Sequence, residues 1–167
     1  VECALDGGAT LIQLREKDRT TREYIHLAYK VHSIARRYNV PLIVDDRVDV
    51  ALAVGTEGVH VGQTDMPVSI ARKLMGPDRI VGATTKTVTQ AVEAYEQGAD
   101  YLGVGAIYPT TTKVKTVLTT TDTLKDICAA VPIPVNAIGG LNKTNLDVLT
   151  GIPIAGISVS YTHLRAH

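Results

Sequence analysis

Short apolar runs alternate with amphipathic helical patterns along the whole chain, and this alternation restricts the fold more than any other feature. Strands are expected at Thr10–Leu14, Pro41–Val44, Gly58–Val61, Ile80–Ala83, Tyr101–Ile107, Pro134–Ile138 and from Gly156 to Val159. Between them the pattern predicts helices at Thr21–Arg37, Val48–Val54, Pro67–Met75, Val88–Gln97, Asp122–Ala130 and Thr144–Leu149, after a helix tail at Val1–Asp6. The Thr21–Arg37 helix is expected to bury Ile25, Ala28, Val31, Ile34 and Ala35. Alternation of this kind produces a parallel sheet. A weak repeat supports it: Gly7-Gly-Ala-Thr, Gly55-Thr-Glu-Gly, Gly98-Ala-Asp-Tyr and Ala155-Gly-Ile-Ser each precede an apolar run.

Such a sheet closes as a barrel or stays open. A (β/α)8 TIM barrel takes about 250 residues. One strand before Val1 and one helix after Val159 would complete eight units, so the expectation is a (β/α)8 barrel, incomplete at both ends, over residues 1–159. The open doubly wound alternative lacks its G-x-G-x-x-G on a first βα turn. The final V-S-Y-T-H-L-R-A-H breaks the pattern and resembles a translated library adapter, so residues 160–167 are set aside.

Composition removes several function classes. Lys plus Arg and Asp plus Glu both number 17, so net charge gives no support for nucleic-acid or acidic-membrane binding. No apolar run approaches the roughly 20 residues of a membrane span. Cys3 and Cys128 match no metal or redox spacing and read as buried free thiols of a reducing cytosol.

In a barrel, chemistry gathers at the C-terminal ends of the strands. The sequence puts Gln13, Arg15 and Lys17 after the first run, Asp45 and Asp46 after the second, and His60, Gln63 and Asp65 at the third. Thr84 and Lys86 come next, then Thr110, Thr112 and Lys113, then Asn136, Gly139 and Gly140, with Ser158 in the last. Acidic sites beside several cations suit a magnesium–polyphosphate complex, because Mg²⁺ prefers one or two carboxylates plus phosphate oxygens. Arg forks and Lys charges suit the phosphates themselves. Gly-Gly at a strand end suits a second phosphate held by backbone N–H groups. Plainer readings stand beside these. Asp46 and Asp65 would serve as helix N-caps. Arg15 and Lys17 would be surface charges, His60 a packed histidine, Gly139-Gly140 a turn, and the threonine run a polar loop.

Taken together, Q-L-R-E-K, V-D-D-R, G-V-H-V-G-Q-T-D, Y-L-G-V-G-A-I-Y-P-T-T-T-K and A-I-G-G resemble the thiamine-phosphate synthase family from Gly7 to about Val159. The resemblance implies a cytoplasmic (β/α)8 transferase of thiamine biosynthesis (EC 2.5.1.3 type) with Mg²⁺ as cofactor. It would join an aminopyrimidine methyl diphosphate to a thiazole phosphate and release pyrophosphate. Its partners would be these two small molecules; a homo-oligomer is allowed. Carried over by motif, Gln13, Arg15 and Lys17 would hold the diphosphate, Asp46 and Asp65 the metal, and Gly139 and Gly140 the thiazole phosphate. Asp45 would lie beside the pyrimidine and Thr84 near the reacting centre, while Thr110, Thr112 and Lys113 would close over both substrates. Lys113, Thr84 and Arg15 would carry the catalysis. Three positions depart from the family's pattern: Asp45 for Asn, Ala106 for Pro and Lys86 for His.

Three rivals would use the same barrel. A thiazole tautomerase would carry a histidine where Ala106 stands. A non-catalytic phosphate-binding barrel gives no reason to keep Asp46, Asp65 and Lys113 together. A sugar-phosphate isomerase or aldolase would need a Schiff-base lysine, and neither Lys86 nor Lys113 sits inside a strand where burial would lower its pKa.

Overall fold

Strands alternate with helices or a helical turn along the chain in the computed structural model, which describes residues 1–109 and 118–159. The chain divides into two units, Val1–Gly82 and the residues from Ala83 onward.

The first unit runs α1 (Glu2–Asp6), β1 (Ile12–Leu14), α2 (Thr21–Arg37), β2 (Leu42–Asp45), α3 (Val48–Val54), β3 (Gly58–Val61) and α4 (Val68–Met75). β1 pairs in parallel with β2, Ile12 opposite Leu42, and β2 with β3, Ile43 opposite Gly58. β2 and β3 are buried along their whole length, as parallel strands covered on both faces are. The core joins Tyr24 and Ala28 of α2 to Val44, Val48, Val59, Val61, Ala71 and Met75.

The second unit holds α5 (Val88–Glu96), β5 (Tyr101–Gly105), α6 (Thr121–Ala130), β6 (Val135–Ile138), a 3₁₀ turn (Leu146–Leu149) and β7 (Gly156–Ser158). β5 pairs with β6, Leu102 opposite Val135, and β6 with β7, Asn136 opposite Gly156. The strand β4 (Ile80–Thr85) spans the point where one unit gives way to the other.

Helix starts follow their capping chemistry. Thr20 and Glu23 make a capping box ahead of α2, while Thr87 and Thr120 accept the Gln90 and Thr123 N–H groups ahead of α5 and α6. The repeat of glycines before strands has a backbone reason: Gly8, Gly55 and Gly98 all have positive φ, a region costly for other residues.

Four expectations need correction. β5 ends at Gly105 rather than Ile107; the Ala106 carbonyl instead accepts from the Thr119 N–H at 2.8 Å. The helix expected at Thr144–Leu149 shrinks to the 3₁₀ turn. Asn142 Oδ1 takes both the N–H and the hydroxyl of Thr144, and Asn145 Oδ1 takes the Asn142 N–H. Such side-chain bonds compete with the first turn of a helix. The buried face of α2 is Tyr24, Ala28, Val31, His32 and Ala35, with Ile25 and Ile34 half-buried. Tyr24 and His32 take the stripe because each polar tip finds a partner there. Finally, both cysteines are free, but Cys3 is exposed and Cys128 only half-buried. Among the described residues no helix is long and apolar enough to cross a membrane.

His32 Nε2 lies 2.9 Å from Glu57 Oε1, and Glu57 Oε2 accepts the Leu42 N–H at 2.8 Å. Burial works to raise the pKa of Glu57, but the His32 and Leu42 hydrogen bonds outweigh it and leave it lowered. A carboxylate with a depressed folded pKa stabilises above its unfolded pKa and loses that contribution as pH falls through the folded value. Glu57→Gln is therefore expected to be less stable than the parent by about 1 kcal/mol at pH 7. The gap should close below about pH 4, as urea unfolding at a series of pH values would show.

Candidate active site

The ends of β1, β2 and β3 bring five charged side chains into one corner of the first unit: Arg15, Lys17, Asp45, Asp46 and Asp65. β2 ends at Asp45 and a second aspartate follows it, and continued strand alternation would send the two to opposite faces. Asp46 avoids this by adopting φ 63°, a left-handed conformation that Asp tolerates better than most residues. Its N–H donates to the His60 carbonyl at 2.8 Å, and the Arg47 N–H returns to the Asp45 carbonyl at 2.8 Å. Both carboxylates then face the same cation. Arg15 Nε lies 3.1 Å from Asp45 Oδ2 and 3.9 Å from Asp46 Oδ2, and Lys17 Nζ lies 3.7 Å from Asp46 Oδ2.

Asp45 is 6% exposed. Besides Arg15 it accepts from Gln13 Nε2 at 2.5 Å, so Gln13 and Arg15 are both steered by one buried carboxylate. Asp65 comes from the turn after β3. Its Oδ2 accepts the Gly62 N–H at 2.9 Å, and a Cβ at Gly62 would stand 2.7 Å from that oxygen. Burial first, then the nearby Asp65 carboxyl and its negative charge, raise the pKa of Asp46 against the opposing pull of Lys17 and Arg15.

The N-cap reading does not hold for either aspartate. Arg47 and Pro67 occupy the cap positions of α3 and α4, with no side-chain cap bond at either. His60 is buried within β3, as a packed histidine would be.

Among the described residues no group of three or more His, Cys, Asp and Glu side chains could hold a metal. Two neighbouring carboxylates, beside an arginine and a lysine, suit a hard cation that also keeps water and phosphate oxygens. The donor set therefore fits Mg²⁺ bound together with a diphosphate.

In the second unit, Thr84 is half-buried near the end of β4, and the Lys86 N–H donates to Gln90 Oε1 at 2.9 Å. β6 runs into Gly139 (φ 102°) and Gly140 (φ 65°). The Gly139 carbonyl accepts the Tyr108 N–H at 3.0 Å and the Gly140 carbonyl accepts Asn145 Nδ2 at 2.9 Å. Neither position has room for a side chain: a Cβ would lie 2.4 Å from the Ala106 Cβ at Gly139 and 2.6 Å from the Tyr108 Cβ at Gly140. Thr110, Thr112 and Lys113 lie outside the described residues.

Sequence reasoning missed Tyr24 and Gly62. Tyr24 had a signal in the T-x-x-E box that fixes the start of α2, one residue before it. Gly62 had only its place in V-G-Q-T-D, which does not reveal that the neighbouring carboxylate folds back onto its N–H.

Known proteins resemble the chain over nearly its whole length. The family model for thiamine monophosphate synthase matches residues 1–162. Thiamine-phosphate synthase 2 of Streptococcus pneumoniae is 55% identical over 159 residues, 95% of this chain and 76% of that protein. Thiamine-phosphate synthase of Enterococcus faecalis is 52% identical over 159 residues, 95% of this chain and 75% of that protein. The solved thiamine phosphate pyrophosphorylase from Pyrococcus furiosus superposes with a TM-score of 0.85 at 42% identity, covering 93% of this chain and 75% of that one. With identities of this size over nearly all of its length, the chain belongs to the thiamine monophosphate synthase family.

Proposed function

We propose that the corner formed by Gln13, Arg15, Lys17, Asp46 and Asp65 binds the diphosphate of an aminopyrimidine methyl diphosphate with Mg²⁺. We infer that the chain, a cytoplasmic (β/α)8 barrel over residues 1–159, condenses this substrate with a thiazole phosphate. The observation that carries the reading is the meeting of an acidic pair, Asp46 with Asp65, and two cations, Arg15 and Lys17, in one place.

The reaction breaks the C–O bond between the pyrimidine methylene and the diphosphate, whose oxygen keeps the electron pair. The thiazole nitrogen supplies the pair for the new C–N bond. Bound Mg²⁺ would neutralise charge on the departing diphosphate. Asp46 and Asp65 would hold that ion. Arg15 and Lys17 would bind the remaining phosphate oxygens, with Gln13 set beside them by Asp45. Gly139 and Gly140 would cradle the thiazole phosphate through backbone N–H groups. Thr84 would line the reacting centre. Thr110, Thr112 and Lys113 would close over it, so that water does not capture the pyrimidinylmethyl cation. Catalysis then rests on stabilising the leaving group and positioning the nucleophile.

Pyrophosphate release tests this. It should require the pyrimidine diphosphate, the thiazole phosphate and Mg²⁺ together, and should fall on the order of a hundredfold or more in Lys113→Ala. Release without thiazole phosphate would mean hydrolysis. A folded chain that releases none under any combination would leave a binding role.

A further inference from the structure

Tyr24 sits in the first turn of α2, 1% exposed, and its hydroxyl reaches the ends of two strands at once. It donates to the Leu14 carbonyl at 2.7 Å and lies 3.2 Å from the Asp45 carbonyl. The residues so held flank the charged corner: Leu14 immediately precedes Arg15, and Asp45 immediately precedes Asp46. The helix turn that presents the phenol is itself fixed. The Thr20 hydroxyl accepts the Glu23 N–H at 3.3 Å, Glu23 Oε2 accepts the Thr20 N–H at 3.0 Å, and the Tyr24 N–H donates to the Thr20 carbonyl at 2.9 Å.

We propose that Tyr24 is a positioning residue for the diphosphate corner: its buried hydroxyl ties the β1 end to the β2 end and so fixes Arg15 relative to Asp46. This rests on the reading of that corner as the diphosphate site. The physical argument is one of freedom. Arg15 has a long side chain and lies 3.9 Å from Asp46, at the edge of ion-pair range. Its guanidinium is useful to a diphosphate only where its backbone is held still, because a displacement of an ångström at a charged contact is felt strongly. The Leu14–Glu16 segment lies at and just beyond the end of the three-residue strand β1. Tyr24 holds the backbone immediately before Arg15 at this point. A core tyrosine needs only one acceptor to satisfy its O–H. This one bridges two strands at the residues next to the charges.

Tyr24→Phe keeps the ring and removes only the bridge. Calorimetric titration with pyrophosphate and Mg²⁺ should show binding weakened about five- to tenfold, the size of one hydrogen bond. The KM for the pyrimidine diphosphate should rise by about the same factor, with kcat changed by less than about twofold. Val31→Ala, elsewhere on the buried face of α2, should lower the Tm at least as much and leave pyrophosphate affinity unchanged. Thr20→Val, which loosens the first turn without touching the phenol, should move affinity in the same direction as Tyr24→Phe by a smaller factor. If Tyr24→Phe lowers the Tm yet binds Mg²⁺–pyrophosphate like the parent, Tyr24 is a core residue only and the proposal fails. If the parent itself binds no Mg²⁺–pyrophosphate, the reading of the corner falls, and the role of Tyr24 with it.

Discussion

Replacing Asp46 by Asn should lower kcat/KM by on the order of 10²- to 10³-fold while leaving the fold as stable as before, or more so. The two halves have one origin. Burial and Asp65 disfavour the charged form of Asp46 in the free protein, so the carboxylate costs stability at neutral pH and a neutral side chain relieves it. The same carboxylate is what a divalent cation would use. Asn is the right probe because it tolerates the left-handed backbone at φ 63°, whereas Ala would add strain of about 1 kcal/mol and blur the comparison. Steady-state kinetics with a thermal melt on each sample would check this. Full activity with unchanged Mg²⁺ dependence would remove Asp46 from the metal site.

Gly139→Ala should be damaging for a different reason. Its φ of 102° is open to glycine and strained for alanine, and the added methyl would stand 2.4 Å from the Ala106 Cβ. Backbone strain of about 1–2 kcal/mol and overpacking of about 1–3 kcal/mol act together, so the Tm should fall by roughly 5–15 °C. If the Gly139 and Gly140 N–H groups hold the thiazole phosphate, the KM for that substrate should also rise by about tenfold or more. The KM for the pyrimidine diphosphate should move far less. Equal changes in both constants would mark Gly139-Gly140 as a turn alone.

The order of elements was readable because parallel strands buried on both faces leave continuous apolar runs, such as L-I-V-D and G-V-H-V, with helices between them. The candidate residues were readable because Arg15, Asp46 and Asp65 come at the ends of such runs. Their arrangement was not. Two adjacent aspartates gave no hint that a positive φ at the second would turn both toward Arg15, or that Asp45 would be occupied by Gln13 and Arg15. The helix face of α2 was misread for a related reason. Periodicity weighs Ile25 and Ile34 by apolarity, but Tyr24 and His32 are buried because Leu14, Asp45 and Glu57 stand ready to receive their polar tips. The short helix at Thr144–Leu149 was lost to Asn142, whose side chain bonds are invisible to any pattern of hydrophobicity.

Helix α2 also works as a length gauge for the strand it covers. Tyr24 reaches the carbonyl of Asp45 at one end of β2, and His32, through Glu57, reaches the N–H of Leu42 at the other. The eight-residue rise from Tyr24 to His32 is about 12 Å, close to the roughly 10 Å from Leu42 to Asp45 along the strand. Adding or deleting one residue between the two clasps would swing one of them about 100° around the helix and release its end of the strand. Insertions in this lineage should therefore collect in the connection that follows α2, 38–41, and spare the interval from Tyr24 to His32.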